Sequence, residues 1–181
     1  MDSYINREGR AWEDNIPHRT FKVLKFRPSW MQWAIMQLPA FLLLAALIWL
    51  PDYLDYEIPE KYSEFPHYAI LLVVVWLCCK AASWACLEYI ISGEQLIYRH
   101  GVLFHASDFM ELYRVVDYQE SRTPMQIVFG LKTVHIYSGD KTLPCLKLLG
   151  VKSNVDILGE IRDRVEYNKR RRGVYEITNR Q

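Results

Sequence analysis

The chain has 181 residues, with 22 Lys and Arg against 21 Asp and Glu, so its formal net charge is +1. That balance excludes electrostatic capture of nucleic acid as the default activity, and four cysteines do not make a disulfide scaffold. The average charged fraction of 24% hides a sharp segregation, because no Asp, Glu, Lys or Arg occurs from Pro28 to Pro51 or from Phe65 to Cys79. Size and segregation together describe a small membrane protein carrying one polar domain.

Residues 1–28 read as an N-terminal segment on the cytoplasmic side. Arg19, Lys22, Lys25 and Arg27 approach the first apolar run with no acid between Asn15 and Ser29. Residues 29–50 are the first predicted span, since a helix needs about 20 residues to cross roughly 30 Å of hydrocarbon. Trp30 and Trp33 at one end, with Trp49, Tyr53 and Tyr56 at the other, suit the two membrane interfaces. Pro39 removes one backbone hydrogen bond and is expected to kink the helix. Residues 51–67 form an acidic loop with Asp52, Asp55, Glu57, Glu60 and Glu64 against Lys61 alone. Positive charge concentrates before the span and not after it, so the loop is expected outside and both termini inside.

Residues 68–87, YAILLVVVWLCCKAASWACL, are the second predicted span, interrupted by Lys80 alone. Trp76, Lys80, Ser83, Trp84 and Leu87 recur at i, i+4, i+7, i+8 and i+11, a spacing that gathers them on one helical face. Cys78, Cys79, Ala82, Ser83, Ala85 and Cys86 are small enough for close helix approach. Lys80 either snorkels to the nearer interface or faces water, and two helices cannot enclose water without further copies of the chain. Those five residues are therefore the candidates for lining a pore in a ring-like homo-oligomer.

From residue 88 the pattern turns to short strands. QLIYRH, Gly101 and VLFH predict one hairpin, and TVHIYS, Gly139-Asp140 and KTLPCLKL predict a second, with Pro144 at an edge or bulge. A final amphipathic helix follows, with Ser153 and Asp156 spaced as a capping box and Ile157, Leu158, Ile161 and Val165 as its apolar stripe. Lys169, Arg170, Arg171 and Arg172 crowd its last turn and Gly173 suits the stop. The run is read as a solvated helix end or as a contact for anionic headgroups or RNA. Residues 88–173 thus form a cytoplasmic α+β domain, and 174–181 a tail.

Two apolar helices followed by EYIISGEQLIYRHGVLFHASDFMELYRVVDYQE, TPMQIVFGLKTVHIYSGD and a last helix resemble the bacterial pleckstrin-homology-like membrane proteins. Leu96, Arg99 and Gly101 occupy the Leu-x-x-Arg-x-Gly strand of that family, and Arg114 and Gly130 the next two marked places. The resemblance implies a PH-like β domain closed by a C-terminal helix, used for binding or assembly rather than catalysis.

Arg99 and His105 stand at the Arg-x5-His spacing that HEPN ribonucleases use on a helix, although here the pair falls on strand and turn. Size, layout and this divergent pair are also similar to the small membrane accessory proteins of type VI-B CRISPR systems. That resemblance implies a homo-oligomeric inner-membrane pore that depolarises the cell in antiviral defence, with the bilayer and further copies of the chain as partners. It also implies contact with an RNA-guided ribonuclease or its RNA products, but not with DNA. A membrane-anchored scaffold recruiting a cytoplasmic partner is the alternative, and a membrane-tethered ribonuclease the third reading. No Cys/His spacing suits zinc, and neither a metal nor a cofactor is expected.

Overall fold

A computed structural model describes residues 19–53 and 64–172. Most of the predicted acidic loop, with Asp55, Tyr56, Glu57, Glu60 and Lys61, lies outside these residues, as do Gly173 and the predicted tail.

Within them, strand β1 (Leu24–Phe26) leads into helix α1 (Trp30–Tyr53), and helix α2 (Phe65–Ala85) leads into strand β2 (Glu88–Ile91). Strands β3 (Gln95–His100), β4 (Ala106–Glu111), β5 (Val115–Ser121), β6 (Leu131–Ser138) and β7 (Cys145–Lys152) follow. A 3-10 turn at Leu112–Arg114 and a short helix α3 (Pro124–Val128) interrupt them, and helix α4 (Ile157–Arg171) ends the fold. One antiparallel sheet has the order β1-β2-β3-β4 and a second has β5-β6-β7. Helices with two antiparallel sheets and a closing helix give the expected α+β class.

Both α1 and α2 are long and apolar enough to cross a membrane, with stretches of 20 and 21 residues at a mean hydropathy of 1.8. Their burial is inverted. Leu42, Leu43, Leu71, Leu72 and Trp49 are exposed, whereas Gln32 and Gln37 are buried. Helix α1 runs through Pro39 without a break, and α2 begins three residues before the predicted span and ends two before its predicted end. Along α2, Ile70, Val73, Leu77, Ala81 and Trp84 are the less exposed residues, at the spacing of one face.

The core lies between the two sheets and α4. Ile91, Leu96, Met110, Leu112, Val134, Ile136 and Leu148 are fully buried, and Ile157, Ile161 and Val165 supply the stripe of α4 as predicted, with Leu158 half-buried. Tyr89 of β2 ties the sheets together, its hydroxyl donating to the Lys147 carbonyl at 3.2 Å and accepting from the Leu149 amide at 3.4 Å. Burial raises its pKa further above the usual tyrosine range.

Three sequence expectations change, and one motif turns up in a second place. The segment before the first apolar helix is not merely an approach, because β1 pairs antiparallel with β2 through Leu24↔Ile91 and Phe26↔Tyr89. Three residues, LKF, are too few to show a strand period. Next, VLFH is not a strand. Gly101 adopts φ +104°, a Cβ there would collide with the Phe104 carbonyl oxygen, and the return strand starts only at Ala106. The α4 cap is Asp156 itself, whose carboxylate accepts from the Gly159 amide at 2.9 Å, because Ser153 to Val155 are spent on the turn out of β7. Finally, a reciprocal capping box does occur, but at α3, where Thr123 and Gln126 satisfy each other's backbone amides.

Candidate functional site: a basic cleft where the apolar helices meet the sheet

Strands β1 and β2 pair side by side, so the start of α1 and the end of α2 stand at the same end of the helix pair. Two further contacts hold α1 to the domain. The Ser29 amide donates to the Gly150 carbonyl at 3.1 Å, and Gln126 Nε2 bridges Gln32 Oε1 at 2.7 Å and Thr133 Oγ1 at 2.8 Å. Gly150 has φ +63°, and a Cβ on it would stand 2.8 Å from the Gln32 Cβ and 3.0 Å from the Ser29 amide. Only glycine lets the first turn of α1 approach the sheet this closely.

At this junction lies a cleft of about 560 Å³. Its walls are Arg27 from the β1–α1 link, Ala85 and Cys86 from the end of α2, Glu88 from β2, Arg99 and His100 from β3, and His105, Ala106 and Ser107 from the return of the hairpin. The structure therefore does bring Arg99 and His105 to one place, across a strand end and a turn and not on a helix. Arg99 Nη1 reaches Glu88 Oε2 at 3.4 Å, with the guanidinium half-exposed. Among the described residues nothing forms an ion pair with Arg27. His100 stacks on Tyr98 at 4.8 Å, its Nδ1 3.8 Å from Asp108 Oδ2 and without a hydrogen-bond partner. Tyr98 in turn stacks on Tyr89 and Tyr89 packs against Phe26, so an aromatic ladder crosses β1, β2 and β3 into the cleft. Burial, then the neighbouring Asp108 carboxylate, keep the Tyr98 phenol protonated by raising its pKa. Among the described residues of the lining, two arginines against Glu88 alone make the cleft basic. Such a cleft suits an anion.

Apolar side chains flank this end of the domain. The tip of the β3–β4 hairpin carries Leu103 at 86% and Phe104 at 88% exposure, and α3 carries Ile127 at 62% and Val128 at 76%. Because Gln126 is anchored to Gln32, the exposed side chains of α3 sit beside the first turn of α1.

The five proposed pore residues divide. Trp76 and Lys80 are exposed, Leu87 is half-buried and Trp84 is buried on the inward face of α2. The Lys80 ammonium lies 5.5 Å from the Trp76 ring centre, and the exposed Ser83 donates to the Cys79 carbonyl at 2.9 Å. The basic run at the end of α4 is largely paired. Arg170 meets Glu166 at 3.7 Å, Arg171 meets Glu94 at 2.7 Å and Arg172 meets Glu111 at 3.6 Å. Arg172 also lies 4.1 Å over the Tyr113 ring. The Arg171 and Arg172 pairs dock the helix end onto the sheet rim, while the Arg170 pair stays within α4. Of the residues that mark the family resemblance, Leu96 is core, Gly101 and Gly130 are turns at positive φ, and Arg114 holds Asp140 at 3.3 Å. Among the described residues no group of three or more His, Cys, Asp or Glu could hold a metal ion.

Sequence reasoning singled out Arg99 and His105 but missed Arg27 and Glu88, which reach the same cleft through strand pairing. The available signal was the cation immediately before the first apolar run. A model of the family described as Bacterial PH domain matches residues 34–165. No curated protein and no solved structure gives a significant match.

Proposed function

The chain belongs to the bacterial PH domain family, and on that premise we propose that it is a membrane-anchored, non-catalytic docking platform. In this reading α1 and α2 cross the bacterial inner membrane, and the β domain serves as a binding or assembly module on its cytoplasmic side. The observation that carries it is how short the links between helices and sheet are, residues 27–29 on one side and 86–87 on the other. β1 runs into α1, α2 runs into β2, and the Phe26↔Tyr89 pairing locks the two junctions together. A domain tethered merely for localisation needs no such rigid mount, whereas one that must present a face at a fixed height does. The concentration of Arg19, Lys22, Lys25 and Arg27 before α1 supports the cytoplasmic placement.

Cys145 on β7 gives a direct test, since all four cysteines are free. With Cys78, Cys79 and Cys86 replaced by Ala, a membrane-impermeant maleimide is expected to label Cys145 only after the cells are permeabilised. The protein is also expected to stay with the membrane on alkaline carbonate extraction. Labelling of intact cells, or release by carbonate, overturns the reading.

A pore built from several copies is the second reading, supported by the outward position of Trp76 and Lys80 on α2, where another copy could pack. Against it, Lys80 and Ser83 already have partners within their own helix, so neither requires a water-filled lumen. Native mass spectrometry decides: a closed ring of many subunits favours the pore, and a monomer or dimer favours the platform. Neither the fold nor the family supports a tie to RNA-guided defence or to cleavage of RNA at Arg99 and His105.

A further inference from the structure

We propose that helix α3 is a third membrane element, lying at the surface of the cytoplasmic leaflet with its apolar side chains among the lipid acyl chains. The inference rests on the membrane placement above, and it concerns a surface none of whose residues line the cleft.

Composition is the first argument. The segment Thr123 to Leu131, TPMQIVFGL, carries no charge, although it connects two strands of a polar domain. Arg122 and Lys132 bracket it, and both turn to Glu120, at 2.6 and 3.0 Å. Met125, Ile127, Val128 and Phe129 are exposed, whereas Gln126, the only polar side chain of α3, is 3% exposed. A connection on a water-facing surface has this pattern the other way round. Helices α1 and α2 show the same inversion.

Satisfied polar groups are the second. Gln126 Nε2 donates to Gln32 and Thr133, and its Oε1 accepts from the Thr123 amide at 2.9 Å. The Gln126 amide donates to Thr123 Oγ1, and the Ile127, Phe129 and Gly130 amides donate to the carbonyls of Thr123, Met125 and Ile127. Pro124 has no N–H to satisfy. A turn closed in this way meets the condition that a medium without water imposes on backbone.

Height names the occupant. The Gln126–Gln32 bond ties α3 to the third residue of α1, one turn that also carries the exposed Trp30, a residue type suited to the membrane interface. At 1.5 Å per residue, Gln32 stands about 3 Å into α1. An interfacial helix buries its apolar face roughly 5–10 Å into the boundary between headgroups and acyl chains, which is the level this bond imposes on α3. The exposed side chains of α3 thus continue the lipid-facing surface of α1, and any protein covering them would first have to displace lipid. A third contact to one side of the helix pair also sets the tilt of the domain against the bilayer.

The test uses the full chain with Cys78, Cys79, Cys86 and Cys145 replaced by Ala, in phosphatidylcholine vesicles. One new cysteine, Val128→Cys, carries an NBD fluorophore. The reference site is Glu166→Cys, on the half of α4 beside the β2–β3 turn, at the end of β2 away from α2. Phosphatidylcholine brominated near the headgroup end of its acyl chains is expected to quench the label at 128 about twofold more strongly than at 166, and aqueous iodide should rank the sites in the opposite order. The double variant Ile127→Asn/Phe129→Asn should lower lipid quenching at 128 about twofold. It should leave thermal unfolding in detergent unchanged, because neither side chain belongs to the core. Equal iodide quenching at the two sites, or lipid quenching that ignores the double variant, overturns the proposal. A label at 128 shielded from both quenchers overturns lipid as the occupant in favour of a second copy of the chain. The same label at Leu72→Cys, on the exposed face of α2, separates the two levels. Quenching there by lipid brominated deep in its acyl chains, without quenching at 128, removes the α3 proposal alone, and quenching at neither site removes the membrane placement with it.

Discussion

Helices α2 and α4 each carry a cation where a simple reading of burial would not put one, and they solve the problem in opposite ways. Lys80 stands on the outside of an apolar helix, its ammonium over the Trp76 ring. Arg164 stands inside a polar helix with 2% exposure. It donates to the Lys22 carbonyl at 3.0 Å and to the Glu160 carbonyl at 2.7 Å, pairs with the Glu160 carboxylate, and lies 5.0 Å from the Phe21 ring. On the membrane reading, the difference teaches which solvent each helix was built for. Helix α4 turns apolar groups inward and clamps the N-terminal segment with its one buried guanidinium. Helices α1 and α2 turn their large apolar groups outward and keep Gln32 and Gln37 inside, as expected where the outer medium is hydrocarbon.

The contrast can be broken most strongly at Arg164. Arg164→Ala removes contacts to Phe21, Lys22 and Glu160 together and is expected to destabilise the domain by about 3 kcal/mol. The shift should appear in thermal unfolding, with faster proteolysis before β1. Gly150→Ala attacks the joint between α1 and the sheet. The positive φ and the approach of Gln32 and Ser29 should cost about 2 kcal/mol, and exchange of the Ser29 amide should accelerate. Glu120 comes next. Hydrogen bonds from Arg122, then from the buried Lys132, hold its carboxyl below the usual range. A depressed folded-state pKa means that its contribution is complete above the ordinary glutamate pKa of about 4.3 and is lost as pH falls through the folded value. Glu120→Gln should lower stability by about 1–2 kcal/mol at neutral pH, because the Lys132 ammonium at 3.0 Å loses its counter-charge. The variant should also show a flatter acid limb in pH-dependent unfolding. The smallest effect is expected at Lys80. Lys80→Leu should change detergent stability by less than about 0.5 kcal/mol and leave membrane integration intact; a large loss would mean that Lys80 faces something other than lipid.

Much of this architecture was legible because it follows a period. QLIYRH and TVHIYS show strand composition, Ile157, Leu158, Ile161 and Val165 keep the helical one, and two long runs without charge mark α1 and α2. What escaped depends on partners far along the chain. LKF becomes β1 only because β2 presents a free edge. VLFH has the composition of a strand, but composition does not separate apolar groups that face a core from those left exposed at a hairpin tip. The cleft was half visible, through Arg99 and His105, for a spacing reason that belongs to another fold. Arg27 and Glu88 join them through the β1–β2 and β2–β3 ladders, which no local pattern encodes.

The pairing of β1 with β2 also bears on the order in which the protein can assemble. The two strands are separated by roughly sixty residues, a loop whose closure is entropically costly for a free chain. On the membrane reading, insertion of α1 and α2 as a hairpin closes that loop before the later strands exist. The first rung of the sheet is then templated by the bilayer. Folding of the β domain becomes contingent on insertion, and a chain that misses the membrane is left with an unmatched edge and an incomplete sheet.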